Sequence, residues 1–95
     1  MRDLTSKSEL LYCRVCGLKS SEPPWGLDGA TPLFEFCPCC GVESGSGDAT
    51  VSASINSRKR WISEGAKWFM PDEQPKNWNL QTQLAQVPEK FKEDN

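Results

Sequence analysis

The apolar positions change their spacing near the middle of the chain. In the first half they form short clusters. Leu10-Leu11-Tyr12 is expected to enter a strand, and Leu33-Phe34-Glu35-Phe36 alternates so that Phe34 and Phe36 share one strand face. Each cluster runs directly into cysteines, at Cys13-Arg14-Val15-Cys16-Gly17-Leu18 and at Cys37-Pro38-Cys39-Cys40-Gly41-Val42. Between them, residues 19–32 are punctuated by Pro23, Pro24, Gly26, Asp28, Gly29 and Pro32, the pattern of a long turn-rich loop. Its one bulky residue, Trp25, is expected to be a lid on the core. A run of glycine and serine, Glu43-Ser44-Gly45-Ser46-Gly47-Asp48, then predicts a flexible boundary.

Beyond the boundary the period becomes helical. Ile55, Ile62 and Phe69 recur every seven residues, and Trp61, Gly65 and Trp68 follow the i, i+4, i+7 spacing of a helix face. This predicts a helix near residues 54–64, with Ser52 or Ser54 as its cap and Gly65 ending it in the left-handed conformation. Residues 67–70 then leave as an extended segment. A shorter helix is expected near 79–87, capped by Asn79, with Leu80, Leu84 and Val87 on one face and Pro88 as its stop. The last residues, 89–95, are charged around Phe91 and are expected to fray.

Ninety-five residues, 37% of them hydrophobic, give a thin core, and a domain of this size leaves much of its surface unburied. The longest apolar run, Leu10-Leu11-Tyr12-Cys13, is far shorter than the roughly 20 residues that cross a bilayer, so no membrane span is expected. No apolar stretch marks residues 1–9 as a secretory signal, so the expected location is the reducing cytoplasm. The net charge is −2, with four Lys/Arg against seven Asp/Glu in residues 1–50 and seven against six in 51–95. That balance argues against a general polyanion binder. Histidine is absent, which removes the commonest general base and every imidazole-based catalytic dyad.

Five cysteines are an odd number for a disulfide framework. Their spacing suits a metal instead. Cys13 and Cys16 are two residues apart, as are Cys37 and Cys40, and the pairs are separated by residues 17–36. Two Cys-x-x-Cys turns at such a distance bring four thiolates to one tetrahedral ion. Gly17 and Gly41 follow the second cysteine of each pair, where the chain must fold back over the sulfurs. Cys39 leaves an alternative, since it could replace Cys40 as fourth ligand, although Gly41 and the match to the first turn favour Cys40. The remaining thiol is expected on the outer curve of its turn, either as a small residue that fits or as a redox-sensitive group beside the metal. Four sulfur ligands close the coordination of zinc and leave no position for an activated water.

Tyr12-Cys13-Arg14-Val15-Cys16-Gly17 and Phe36-Cys37-Pro38-Cys39-Cys40-Gly41 together resemble a zinc ribbon with rubredoxin-type knuckles. The Cys37-Pro38-Cys39-Cys40 core resembles the small bacterial cysteine-rich CPCC proteins. The resemblance covers residues 10–45. It implies two hairpin-like knuckles, a small antiparallel sheet and metal ligands at Cys13, Cys16, Cys37 and Cys40. The predicted architecture is therefore a small α+β unit, with a zinc ribbon over 10–45 and a helical, aromatic-rich extension over 46–95 packed on it. Zinc is the expected ion. Iron, in a rubredoxin-like electron carrier, is the alternative, because it uses the same sulfur geometry.

For function, the pattern points to a non-enzymatic zinc-binding module that organises a surface for a protein partner. Trp61, Trp68 and Trp78 either close the core or, if one is exposed, form part of that surface. A second possibility is nucleic-acid binding through Arg58, Lys59, Arg60 and Trp61, with Lys67 and Trp68; the alternative there is a solvated helix face with Arg60 paired to Glu64. No catalytic residue is assigned. Asp28, Glu35, Glu43, Asp48, Asp72 and Glu73 show no spacing of a paired acid and base, and there is no phosphate-binding loop.

Overall fold

Two glycine-closed turns set the path of the first half. The computed structural model, which describes residues 7–92, shows them matched bond for bond. In the first turn the Cys13 amide donates to Leu18 O at 2.9 Å and the Gly17 amide to Cys13 O at 3.0 Å. In the second, Cys37 donates to Val42 O and Gly41 to Cys37 O, both at 2.8 Å. Outside them, Ser20 donates to Leu11 O at 2.8 Å and Ser44 to Glu35 O at 3.0 Å. Gly17 and Gly41 take φ of +85° and +79°, the left-handed region in which a side chain would be strained.

The base of each turn is a single bridge, Tyr12 with Lys19 and Phe36 with Glu43. The described residues contain no β-strand and no sheet, which overturns the α+β class and the small antiparallel sheet implied by the zinc-ribbon resemblance. A ladder needs several consecutive extended residues on both partners. The run before Cys13 does not supply them, because Lys7–Leu11 forms a 3-10 helix. Nor does the run before Cys37. Phe34 takes φ +58°, which breaks the alternation and leaves both Phe34 and Phe36 exposed.

The glycine-serine stretch is a tied turn rather than an open linker. Ser44 and Asp48 are buried, and the Asp48 carboxylate accepts from the Gly45 amide at 2.8 Å and from Trp25 Nε1 at 3.0 Å. Trp25 covers the guanidinium of Arg14, whose carbon lies 3.9 Å from the Trp25 ring centre and 4.3 Å from that of Phe91.

The first helix, α1, spans Val51–Ser63. It begins earlier than expected because Thr50 is its cap, with Oγ1 accepting from the Ala53 amide at 3.0 Å. Ser52 and Ser54 lie inside the helix, where Ser54 is buried and donates to Asp48 O at 3.4 Å. The helix ends as its sequence predicts. Gly65 takes φ +105° and donates to Ile62 O at 3.0 Å, while Ala66 donates to Trp61 O at 2.9 Å. This bond pair satisfies terminal carbonyls that the helix itself leaves open.

The face that α1 buries differs from the expected one. Ile62 and Phe69 are exposed, and the buried positions are Ser54, Arg58 and Trp61. Arg58 is only 7% exposed. Its Nε donates to Val15 O at 2.6 Å, and its Nη2 donates to Arg14 O at 2.8 Å and Phe91 O at 2.7 Å. One guanidinium thus fastens α1 to the first cysteine turn and to a 3-10 turn at Glu89–Phe91, and satisfies carbonyls that no strand pairs.

The second helix, α2, spans Leu80–Leu84, with Asn79 Oδ1 accepting from the Thr82 amide at 2.8 Å. It is shorter than expected because the chain tightens after it. Gln86 donates to Gln83 O and Val87 to Leu84 O, at 2.9 and 3.1 Å, before Pro88. Trp61 and Trp68 are buried and Trp78 half-buried; the Trp78 ring meets the other two edge-on, at centroid distances of 6.5 and 5.7 Å. This layer belongs to one core with Cys13, Val15, Cys16 and Cys39. Phe91 is buried, so the 3-10 turn that carries it is anchored; the rest of the tail expected to fray, 93–95, lies outside the described residues, as do residues 1–6 of the polar lead-in.

Candidate metal centre

The two turns meet with their sulfurs inward. The Sγ atoms of Cys13, Cys16, Cys37 and Cys40 all lie within 4.8 Å of one another. Across the turns, Cys13 approaches Cys40 at 3.7 Å and Cys16 approaches Cys37 at 3.6 Å. A tetrahedral ion with metal–sulfur bonds of about 2.3 Å would space its ligands about 3.8 Å apart. The four sulfurs are thus gathered to within a few tenths of an ångström of that spacing along two edges and could hold one metal ion. Cys13 and Cys16 are buried, while Cys37 and Cys40 are partly exposed. The Val15 amide donates to Cys13 Sγ at 3.4 Å, as expected of a turn that aims N–H groups at a thiolate.

Hydrogen bonds from Cys13 and then Cys16 push the Cys37 thiol far below its ordinary range. The bond with Cys13 pushes the Cys40 thiol far above it, and Cys16 is likewise raised, first by Cys13. A divalent cation would let all four ionise together.

Cys39 does not occupy the outer curve of its turn. It is 0% exposed, and the Gln83 amide donates to its sulfur at 3.2 Å. The same Gln83 Nε2 donates to Cys16 O at 3.2 Å, and its Oε1 accepts from Trp78 Nε1 at 2.8 Å. Gln83 therefore ties both cysteine turns to α2 and to the tryptophan layer. The reading of Cys39 as a redox-sensitive group beside the metal loses its support, since a sulfur with no exposed surface is shielded from an oxidant. Sequence reasoning passed over Gln83; its signal was a polar residue between Leu80 and Leu84 on a face otherwise read as apolar.

The glycines after each pair also receive the second half of the chain. A Cβ at Gly17 would overlap the Gln83 carbonyl, and one at Gly41 would press on the Phe69 ring at 3.1 Å. The Phe69 and Met70 amides donate to Cys39 O and Pro38 O at 2.9 and 2.8 Å, so the segment after α1 is bound along the second turn. The basic run divides. Arg58 and Trp61 face inward, while Lys59 and Arg60 are exposed. Of the carboxylates considered above, Asp48 is buried beside Trp25, and Asp28 accepts from Ala30 N–H and Thr31 Oγ1, which hold its carboxyl below the usual range.

A protein of Bacillus subtilis (strain 168), described as uncharacterized protein YozI, is 31% identical to this chain over 83 residues, covering 70% of the chain and 69% of the relative. The chain belongs to the YozI family. No family model and no solved structure matches it. No helix among the described residues is long and apolar enough to cross a membrane.

Proposed function

We propose that this protein is a non-enzymatic zinc-binding module whose four-cysteine centre holds together a surface for a protein partner. The observation that carries the metal reading is the convergence of Cys13, Cys16, Cys37 and Cys40 within 4.8 Å. Four sulfur donors close a tetrahedral ion, so the role is structural and a metal-activated water has no place. Zinc bound in this way contributes about 10–16 kcal/mol in small peptides, comparable with the stability of a whole domain. The fold has need of it, since the two turns are joined by no ladder among the described residues. The five cysteines are free thiols, which suits a reducing compartment such as the cytoplasm.

Iron is the competing ion, and the partial exposure of Cys37 and Cys40 is the feature that favours it, because an electron carrier needs its centre near the surface. Elemental analysis and a visible spectrum of the purified protein decide between them. One zinc per chain and no colour support the module. A red protein with one iron would replace it with an electron carrier, and no bound metal would remove both.

A further inference from the structure

A cleft of about 350 Å³ opens beside Cys13 and Cys37. Among the described residues its charged lining is of one sign: Glu22, Glu35 and Asp48, with no lysine or arginine. Asp48 is buried, its carboxylate is bonded to Trp25 and Gly45, and the Arg14 guanidinium lies beside it, so the charge open to a partner is that of Glu22 and Glu35. Glu22 and Glu35 are exposed and form no ion pair among the described residues. Pro24, Leu33 and Phe36 give the same cleft apolar walls, against which the alkyl stem of a long cationic side chain can pack.

Phe36 continues the site outward. Its ring stacks on that of Phe69 at a centroid distance of 5.7 Å, although the two residues are 54% and 52% exposed. Met70, beside Phe69, is exposed as well. These are not loose side chains on a mobile loop, because the Phe69 and Met70 amides are bonded to the backbone of the second cysteine turn. A rigid apolar shelf loses little conformational entropy when it is covered. Exposed aromatic surface next to a cavity is the usual mark of a docking site.

We infer that this face receives an arginine- or lysine-bearing segment of a protein partner, with the cation in the cleft and an adjoining apolar residue on the Phe36 and Phe69 rings. The inference rests on the interaction-module reading and names the chemistry of its partner. Charge complementarity selects the occupant: an acidic segment or a nucleic acid would bring like charge against Glu22 and Glu35, whereas a guanidinium gains both carboxylates and the face of Phe36.

The test uses the full chain, its metal content measured, in an amide-resolved NMR titration with the capped dipeptide acetyl-Arg-Phe-amide. Acetyl-Glu-Phe-amide and argininamide serve as comparison probes. The expected result is saturable shifts confined to residues 20–24, 33–37, 44–48 and 69–70, with affinity that falls as salt rises. Argininamide should bind at least tenfold more weakly, and the glutamyl dipeptide should not bind. The E22Q/E35Q double variant, whose changes are on the surface, should lose at least tenfold in affinity, as should F36L, while E89Q should not change. Absence of localised shifts at millimolar probe overturns the proposal, as does equal binding of the glutamyl dipeptide. Equal binding of argininamide would leave a receptor for free cations and remove the protein partner. Dimerisation that excludes the dipeptide would assign the face to a second copy and overturn it too. One zinc per chain with no shifts refutes the cleft alone; dipeptide binding to a chain that takes up no metal refutes the metal reading alone.

Discussion

Replacing Arg58 tests the packing logic most directly. The side chain is 7% exposed and gives three hydrogen bonds to backbone carbonyls of Val15, Arg14 and Phe91, at 2.6, 2.8 and 2.7 Å. Bonds from a charged donor contribute about 1.5–3 kcal/mol each in isolation, but they share one guanidinium and the freed carbonyls regain some water. The expected loss for Arg58→Ala is therefore about 3–5 kcal/mol, less than the sum of three such bonds, with neutral carbonyls left short of a donor. For a small domain with about 5–15 kcal/mol in total, that is a large fraction. Arg58→Lys keeps a charge but loses the planar fork, and should cost about 2 kcal/mol. Lys59→Ala and Arg60→Ala, at exposed positions, should stay within about 0.5 kcal/mol. Urea unfolding of the metal-loaded protein, followed by tryptophan fluorescence, measures all four as midpoint shifts at constant slope. The reasoning is refuted if Arg58→Ala shifts the midpoint no more than Arg60→Ala. A surface phosphate contact at Arg58 would show the opposite signature, unchanged stability with weaker, salt-dependent binding to nucleic acid.

Cys13→Ser and Cys40→Ser should each lose metal and cooperative unfolding, whereas Cys39→Ser keeps the metal; a folded, fully loaded Cys40→Ser, found by mass spectrometry under native conditions, would reverse the ligand choice. Gly17→Ala should cost about 3 kcal/mol or more, because its positive φ is compounded by overlap with the Gln83 carbonyl, while Gly65→Ala meets only the flexible Lys67 side chain and should cost about 1 kcal/mol. Equal midpoints for the two would show that α2 does not rest on the first turn. Removing metal with a strong chelator should unfold the chain, and acid should do the same. Thiolates held by a metal are ionised well below the ordinary thiol range, so their stabilisation is complete above that range and lost as pH falls through the bound value. A melt unchanged by chelator, with all thiols titratable, would contradict a structural metal.

What could be read from the sequence was local. Two residues between cysteines, with glycine after the second, specify a turn that needs little from the rest of the chain, and both turns form with the same bonds. Gly65 and Asn79 act at helix ends for the same reason: a cap is settled within four or five residues. Tertiary contact decided the rest. The alternation at 33–36 promised a strand, but no strand among the described residues rewards extension there, and Phe34 turns left-handed instead. The heptad row of Ile55, Ile62 and Phe69 promised the buried face of α1, yet Arg58 took its centre because carbonyls more than thirty residues away in sequence needed a donor. Cys39 and Gln83 were drawn inside by the same demand. Periodicity reports which side chains avoid water. It is silent on which buried backbone atoms lack partners, and in a chain with so little regular structure those atoms determined which polar residues entered the core.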